Sequence, residues 1–214
     1  MRGPAGPRRL AWQTPPVIVA AALVGYLLGT FPSADLVTRV ATRGQVDIRA
    51  VGSGNPGAYN AIKSIGTKWG IVVMVLDVAK GLAAGLLGRE LAGDAGAYLA
   101  ATTAIAGHIW PVWTRFRGGK GVATSAGSSL AVFPVYVPVN LAVAYLGAVK
   151  AQRTLVGTQL GCAVWIVAAV VWWAFDLPNL WGPPPGPGLV VYSVVGTAMI
   201  LLAFRRPGAI SESG

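Results

Sequence analysis

The chain has 214 residues, of which 54% are hydrophobic and only 11% charged, with a formal net charge of +10. A soluble domain carries about 25% charged residues and a disordered chain is poor in apolar ones, so a mean hydropathy of +0.61 excludes both. The basic residues fall in short clusters between long apolar runs, as in the loops of membrane proteins, and form no stripe or patch of the kind that binds nucleic acid.

The apolar runs predict an all-α polytopic membrane protein of about seven transmembrane helices. Met1–Gln13 is a basic tail, and the run after it is too long for the apolar core of a signal peptide. A first span covers about Val17–Val37, followed by a polar, glycine-rich segment, Thr38–Thr67. The second and third spans cover about Trp69–Leu87 and Ala95–Trp113, the latter followed by Arg115, Arg117 and Lys120. The run Val122–Val149 is too long for one straight span. Pro134 and Pro138 divide it, because proline removes a backbone donor and clashes with the preceding turn; six spans result if it stays whole. The last two spans cover about Leu155–Phe175 and Leu189–Phe204, and the prolines and glycines of residues 181–188 between them predict a loop. The expected organisation is a basic tail over residues 1–16, one transmembrane domain over 17–206 and a short tail over 207–214.

Orientation follows from the Lys and Arg residues in the loops. An outside N-terminus puts twelve of them on the inner side and four outside, Arg2, Arg8, Arg9 and Arg89. The N-terminus is therefore expected outside, the C-terminus in the cytoplasm, and both polar glycine-rich segments on the cytoplasmic face.

A single cysteine, Cys162, and a single histidine, His108, leave no internal disulfide and too few soft ligands for a transition-metal centre. No metal and no cofactor are expected. The chemistry concentrates in two segments: Asp47–Asn60, reading DIRAVGSGNPGAYN and continuing to Lys63, and Gly107–Thr124, which contains GHIWP and FRGGKGVAT. Glycines let a backbone approach an anion and turn its N–H groups toward it. Lys and Arg add charge, and a helix opening after each segment adds positive potential. Together they predict a site for a phosphate-bearing small molecule.

Familiar alternatives fail on specific residues. Gly52-Ser-Gly54-Asn-Pro-Gly57 matches the dinucleotide fingerprint but follows no buried strand. In the P-loop pattern, Thr114 stands where the first glycine belongs and Gly121 where Ser or Thr holds magnesium. Trp113 takes the place of the aspartate that a His-x4-Asp acyltransferase needs after His108. Other polar residues have plainer readings: Arg115 and Arg117 as topology and headgroup contacts, Asp77 and Lys80 as an intramembrane ion pair, Asp35 as paired or interfacial, His108 as an interfacial or core histidine, and many glycines as helix-packing residues.

At Asp47-Ile48-Arg49, Gly52–Asn60, Gly107-His108, Pro111, Phe116, Gly118–Thr124 and the intramembrane Leu76-Asp77…Lys80-Gly81, the sequence resembles the bacterial acyl-phosphate:glycerol-3-phosphate acyltransferases, the PlsY family. The resemblance implies seven spans with an outside N-terminus in the bacterial cell membrane and a site open to the cytoplasm. It implies transfer of a fatty acyl group from acyl phosphate to the 1-hydroxyl of glycerol 3-phosphate, giving lysophosphatidic acid for phospholipid synthesis. Membrane lipids are the surroundings, no metal or covalent intermediate is involved, and the oligomeric state stays open. Ser53 and Lys120 are the candidate catalytic residues. Arg49, Gly52, Gly54, Asn55, Asn60, Lys63, His108, Gly118, Gly119 and Gly121 are the candidate substrate-binding residues.

The chain departs from the family pattern at several polar positions. Lys63 replaces an arginine, Val156 and Gln159 replace serines near Thr158, Arg206 and Ala209 replace His and Asn, and Glu212 is a poor match by spacing for a terminal Glu. These departures motivate a rival reading, a catalytically silent phosphate-binding or regulatory membrane protein. A small anion transporter is a third, though no inverted repeat supports it.

Overall fold

The computed structural model describes residues 15–142 and 154–206. Most of the expected N-terminal tail, the whole C-terminal tail with Ala209 and Glu212, and the end of the expected fifth span lie outside the described residues. Among the described residues all regular structure is helical: α1 (Pro15–Gly29), α2 (Ser33–Ala41), α3 (Ala58–Ile65), α4 (Thr67–Ile109), α5 (Val122–Val132), α6 (Thr154–Ala174) and α7 (Pro187–Phe204). Short 3-10 turns occupy Val112–Thr114 and Pro134–Tyr136, and residues 137–142 begin a further helical stretch.

The expected seven spans are corrected. Among the described residues, four stretches are long and apolar enough to cross a membrane: Pro15–Ala41, Thr67–Thr114, Leu155–Ala174 and Pro187–Phe204. The expected second and third spans are one helical run folded back on itself. Gly93 breaks it at φ 62°, ψ −153°, a conformation essentially confined to glycine. A Cβ on Gly88 would clash with Gly96 and Ala100, positions a straight helix would hold far apart, so the two limbs of α4 form a hairpin. Arg89 and Asp94 close the turn with an ion pair of 3.2 Å. The expected fourth span, α5, has 11 residues, well short of the ~20 a straight crossing needs. It stops at Phe133 because Pro134 follows and disfavours a helical residue before it. The expected first span also ends early. Pro32 interrupts it after α1, and the chain restarts as the amphipathic α2, which buries Ala34 and Val37 and exposes Arg39 and Val40.

Lipid is as apolar as leucine, so helix association within a bilayer rests on close packing and hydrogen bonds. α1 runs parallel to the second limb of α4, with Gly25 and Gly29 seated on the backbone of Ala100 and Ala104. Three hydrogen bonds lock this register: Thr103 Oγ1 to the Ala22 carbonyl at 2.8 Å, Tyr26 Oη to the Trp110 carbonyl at 2.8 Å, and Trp113 Nε1 to Thr30 Oγ1 at 2.9 Å. α5 runs alongside the first limb, with Gly127 on Val78 and Gly81 on Thr124. α7 follows the second limb from Tyr98, beside Gly188, down to Ile109, beside Arg206.

Aromatic residues fill the space between α5, α6 and α7. Trp165 meets Tyr192 edge-on at 5.0 Å, and Tyr192 Oη lies 2.6 Å from Ser128 Oγ. These directions bring the ends of α1, α4 and α7 and the starts of α4 and α5 to one end of the bundle. Both glycine-rich segments connect elements at that same end.

Candidate functional site

The first segment is shaped by Asn60, buried in the opening turn of α3. Its Nδ2 donates to the carbonyls of Ile48 (3.0 Å) and Val51 (3.1 Å), while Oδ1 accepts from the Ser53 N–H (3.0 Å) and from Ser64 Oγ (3.3 Å). Two donors and two acceptor sites are all a side-chain amide offers. Asn60 therefore shapes the loop and has no bond left for a ligand. Gly52, at φ +56°, lies against Asn60 Oδ1 where a Cβ would collide, so this pair explains one glycine of the motif. Ser53, Gly54 and Asn55 reach the site surface, and α3 opens within the segment, at Ala58. Lys63 does not join them: it is exposed on α3, 5.8 Å from the ring centre of Tyr59.

The second segment lies flat along the end of α4. The Gly118 N–H donates to the Ile109 carbonyl at 3.0 Å and the Gly119 N–H to the His108 carbonyl at 3.1 Å. The expectation that these glycine amides face an anion is corrected, because both are bonded within the protein. The glycines serve the close approach instead. A Cβ on Gly118 would strike the His108 carbonyl, and one on Gly119 the His108 ring. Gly121, at φ +84°, turns the chain into α5.

Arg115 and Phe116 both take left-handed conformations, at φ 51° and 62°. Such strain in side-chain-bearing residues clusters at functional sites, and here the turn brings Phe116 and Arg117 to the site wall. Lys120 does not line that wall. Its ammonium stands 4.4 Å from the ring centre of Phe204 on α7, a cation–π contact.

Between the two segments and the end of α7 lies a cleft of about 730 Å³. Its cations are Arg49, Arg117 and Arg206; Ser53, Asn55, Trp110 and Phe116 also line it, and no carboxylate does among the described residues. Arg49 grips the Asp35 carboxylate with two nitrogens, at 2.7 and 3.0 Å, and its third donates to the Arg117 carbonyl. Arg206 donates to the Ile109 carbonyl at 3.1 Å with its guanidinium 5.7 Å from the Trp110 ring centre. Partial burial lowers the Arg206 pKa from its ordinary value. Arg117 and Trp110 lie inside the second segment and Arg206 stands at a departure from the family pattern, but none is among the candidate site residues, because Arg49, Arg117 and Arg206 are widely separated in sequence and no local pattern links them. Gln159, Val156 and Thr158 lie on α6 and are not among the cleft-lining residues.

Beneath the cleft, Asp77 and Lys80 form a buried ion pair of 2.8 Å, and Lys80 Nζ also donates to the Phe31 carbonyl at 3.0 Å. His108 Nδ1 lies 3.5 Å from Asp77 Oδ1. His108 is therefore a buried member of this charged group, behind Gly119, and not a wall of the main cleft. No group of three or more His, Cys, Asp or Glu placed to hold a metal occurs among the described residues.

A helical bundle with apolar, membrane-length helices and a cationic, serine-bearing cleft at one end defines an integral membrane protein built to handle an anionic ligand. Residues 19–210 match the family model described as glycerol-3-phosphate acyltransferase, and the chain belongs to that family. It is 41% identical over 191 residues to a glycerol-3-phosphate acyltransferase of Rubrobacter xylanophilus, covering 88% of each chain. It is 36% identical over 155 residues to one of Thermoanaerobacter pseudethanolicus, covering 72% of this chain and 77% of the relative. Two crystal structures of PlsY, an integral membrane glycerol 3-phosphate acyltransferase, superpose with TM-scores of 0.71 for the glycerol 3-phosphate form and 0.70 for the lysophosphatidic acid form. Each is 27% identical to this chain, with 88% of both chains covered.

Proposed function

We infer that the cleft between the two glycine-rich segments is the place of reaction. The protein is a membrane enzyme that acylates glycerol 3-phosphate to lysophosphatidic acid. The observation that carries the site assignment is the meeting of Arg49, Arg117 and Arg206 with Ser53 and Asn55 in one cleft whose lining has no carboxylate among the described residues, Asp35 pairing with Arg49 from behind it. Such a cleft favours phosphates, and guanidinium groups bind phosphate oxygens in a bidentate manner. The silent-binder reading is not favoured, because the matched relatives are named as acyltransferases.

The acyl donor is an acyl phosphate, an activated mixed anhydride. The 1-hydroxyl oxygen of glycerol 3-phosphate attacks the acyl carbonyl carbon, the bond from that carbon to the phosphate oxygen breaks, and phosphate leaves carrying the hydroxyl proton. The protein has mainly to hold two phosphates and orient one hydroxyl. Ser53 and the arginines contact phosphate, and fixed donors stabilise the charge that develops in transfer. Lys120 adds positive potential from its seat over Phe204. The acyl chain lies along Phe116 toward the bilayer. The cleft opens to the cytoplasm, with the N-terminus outside, a topology supported by the distribution of Lys and Arg.

The test is incubation of purified protein with glycerol 3-phosphate and either acyl phosphate or acyl-CoA. Lysophosphatidic acid should form from acyl phosphate and not from acyl-CoA, and Ser53→Ala and Lys120→Ala should abolish it. No product from either donor would sink the assignment.

A further inference from the structure

Beside the cleft lies a second, smaller pocket at the start of α2. Its polar lining includes Thr30, Ser33, Asp35, Asp77, Lys80 and His108, and it shares Arg49, Gly118 and Gly119 with the cleft. Its space is about 20 Å³, against the ~10–15 Å³ that one water-sized group occupies by the same kind of measure. A phosphate is too large for it.

Charge argues the same way. Asp35 neutralises Arg49, and Asp77 neutralises Lys80, so the pocket presents no surplus positive charge to an anion. Two buried atoms of its lining have no hydrogen-bond partner, Asp77 Oδ1 and Ser33 Oγ, and the first is held by the Lys80 ion pair. Ser33 Oγ is buried, the residue being 2% exposed, and it has no hydrogen-bond partner. A buried hydroxyl in that state points to an outside partner. The neighbouring Thr30 hydroxyl, by contrast, is already engaged with the Leu27 carbonyl and Trp113.

We propose that this pocket binds the 2-hydroxyl of the acceptor, with Ser33 as its hydrogen-bonding partner, and so presents the 1-hydroxyl for acylation. The proposal rests on the cleft being the place of reaction. The acceptor's phosphate belongs with the arginines, and the reacting hydroxyl must face the acyl carbonyl in the open cleft. The spectator hydroxyl is the remaining water-sized polar group, and the pocket adjoins the cleft through the wall they share. Ser33 is thereby a specificity-determining residue for polyol phosphates.

The test measures kcat/KM for glycerol 3-phosphate and for 3-hydroxypropyl phosphate, which keeps the phosphate and the reacting hydroxyl but lacks the 2-hydroxyl. Wild-type protein should prefer glycerol 3-phosphate by about five- to tenfold, the effect of one net hydrogen bond. Ser33→Ala should lose that preference while its Tm in micelles stays level or rises, since no hydrogen bond within the protein is removed. A preference that survives in Ser33→Ala, or equal use of both acceptors by the wild type, overturns the proposal. Should Ser33→Ala fail to fold, the isosteric pair Ser33→Thr and Ser33→Val replaces it: the first should keep the preference, the second lose it, and equal behaviour overturns the proposal. Wild-type protein that acylates neither acceptor brings down the reaction itself, an outcome distinct from a failure at Ser33 alone.

Discussion

The Arg49 guanidinium holds the Asp35 carboxylate in a two-point grip, Nε to Oδ1 at 2.7 Å and Nη2 to Oδ2 at 3.0 Å. One residue of the first glycine-rich segment is thereby tied to α2, and its remaining nitrogen ties it to the second segment at Arg117. Lysine carries the charge without the planar fork. Arg49→Lys is expected to lower kcat/KM by about 10- to 100-fold, the loss of a charged hydrogen bond or two. Asp35→Asn should fall in the same range. Steady-state kinetics at fixed ionic strength check both.

Asn60 should matter for stability first and activity second. Asn60→Ala leaves the Ser53 N–H and the carbonyls of Ile48 and Val51 without their partner. A loss of about 2–3 kcal/mol is expected, read as a lower Tm in detergent micelles, and activity should drop because Ser53 is no longer held. Asn60→Asp should fail to rescue, since a carboxylate has no N–H to offer the two carbonyls.

Gly119→Ala tests the close approach to His108. The added methyl meets the imidazole ring, so the second segment must lift away from α4 and its side of the cleft moves. Displacement on the scale of ~1 Å costs about 100-fold in rate. The expected result is near-complete loss of turnover in a protein that still purifies as a folded species. Wild-type kcat would contradict the assigned packing.

The ion pair under the cleft predicts non-additive stability. Asp77→Asn alone strands the buried Lys80 ammonium and should destabilise by about 3–5 kcal/mol. Adding Lys80→Met removes the stranded charge and should recover part of that loss. Thermal unfolding of the two singles and the double gives the coupling, and simple additivity would count against a buried pair.

Arg206 is expected to bind a phosphate of the substrates. Arg206→Ala should raise a substrate KM by about 10-fold or more, and Arg206→His should keep part of the affinity at low pH, where the imidazole is charged. Substrate affinity should also fall with added salt less steeply in Arg206→Ala than in the wild type, as expected for one fewer cation. An unchanged KM and salt profile would place Arg206 outside binding.

The boundaries of the long helices were largely legible in the sequence because apolar runs, prolines and glycines act locally: the break before Pro134 is where the sequence puts it, and the loop expected over residues 181–188 ends two residues sooner, at Gly186, because proline is tolerated at the first position of a helix. The count of spans was not, because a hairpin at Ala92–Gly93 and an 11-residue α5 depend on what packs beside them. The two glycine-rich segments were found in sequence and are brought to one cleft. The duties of their residues are partly different from those expected: Asn60 shapes the first loop, Gly118 and Gly119 pack the second segment against α4, His108 joins the buried Asp77–Lys80 group, and Lys63 and Lys120 do not line the cleft.

Composition and hydropathy alone determined that this is a membrane-embedded helical protein, and the two glycine-rich segments pointed to a phosphate-bearing ligand. Those properties are sums over neighbouring residues, and a linear sequence contains them outright. Which polar groups remain available to a ligand was decided only by the tertiary structure. A donor is free or engaged according to what lies across from it: here the partners of Arg49 and Arg206 come from α2, the second glycine-rich segment and the end of α4, while the Ser33 hydroxyl has none within the protein. That separation in sequence makes Arg206 one of two adjacent cations at the end of the last span on paper and a wall of the cationic cleft in the folded chain.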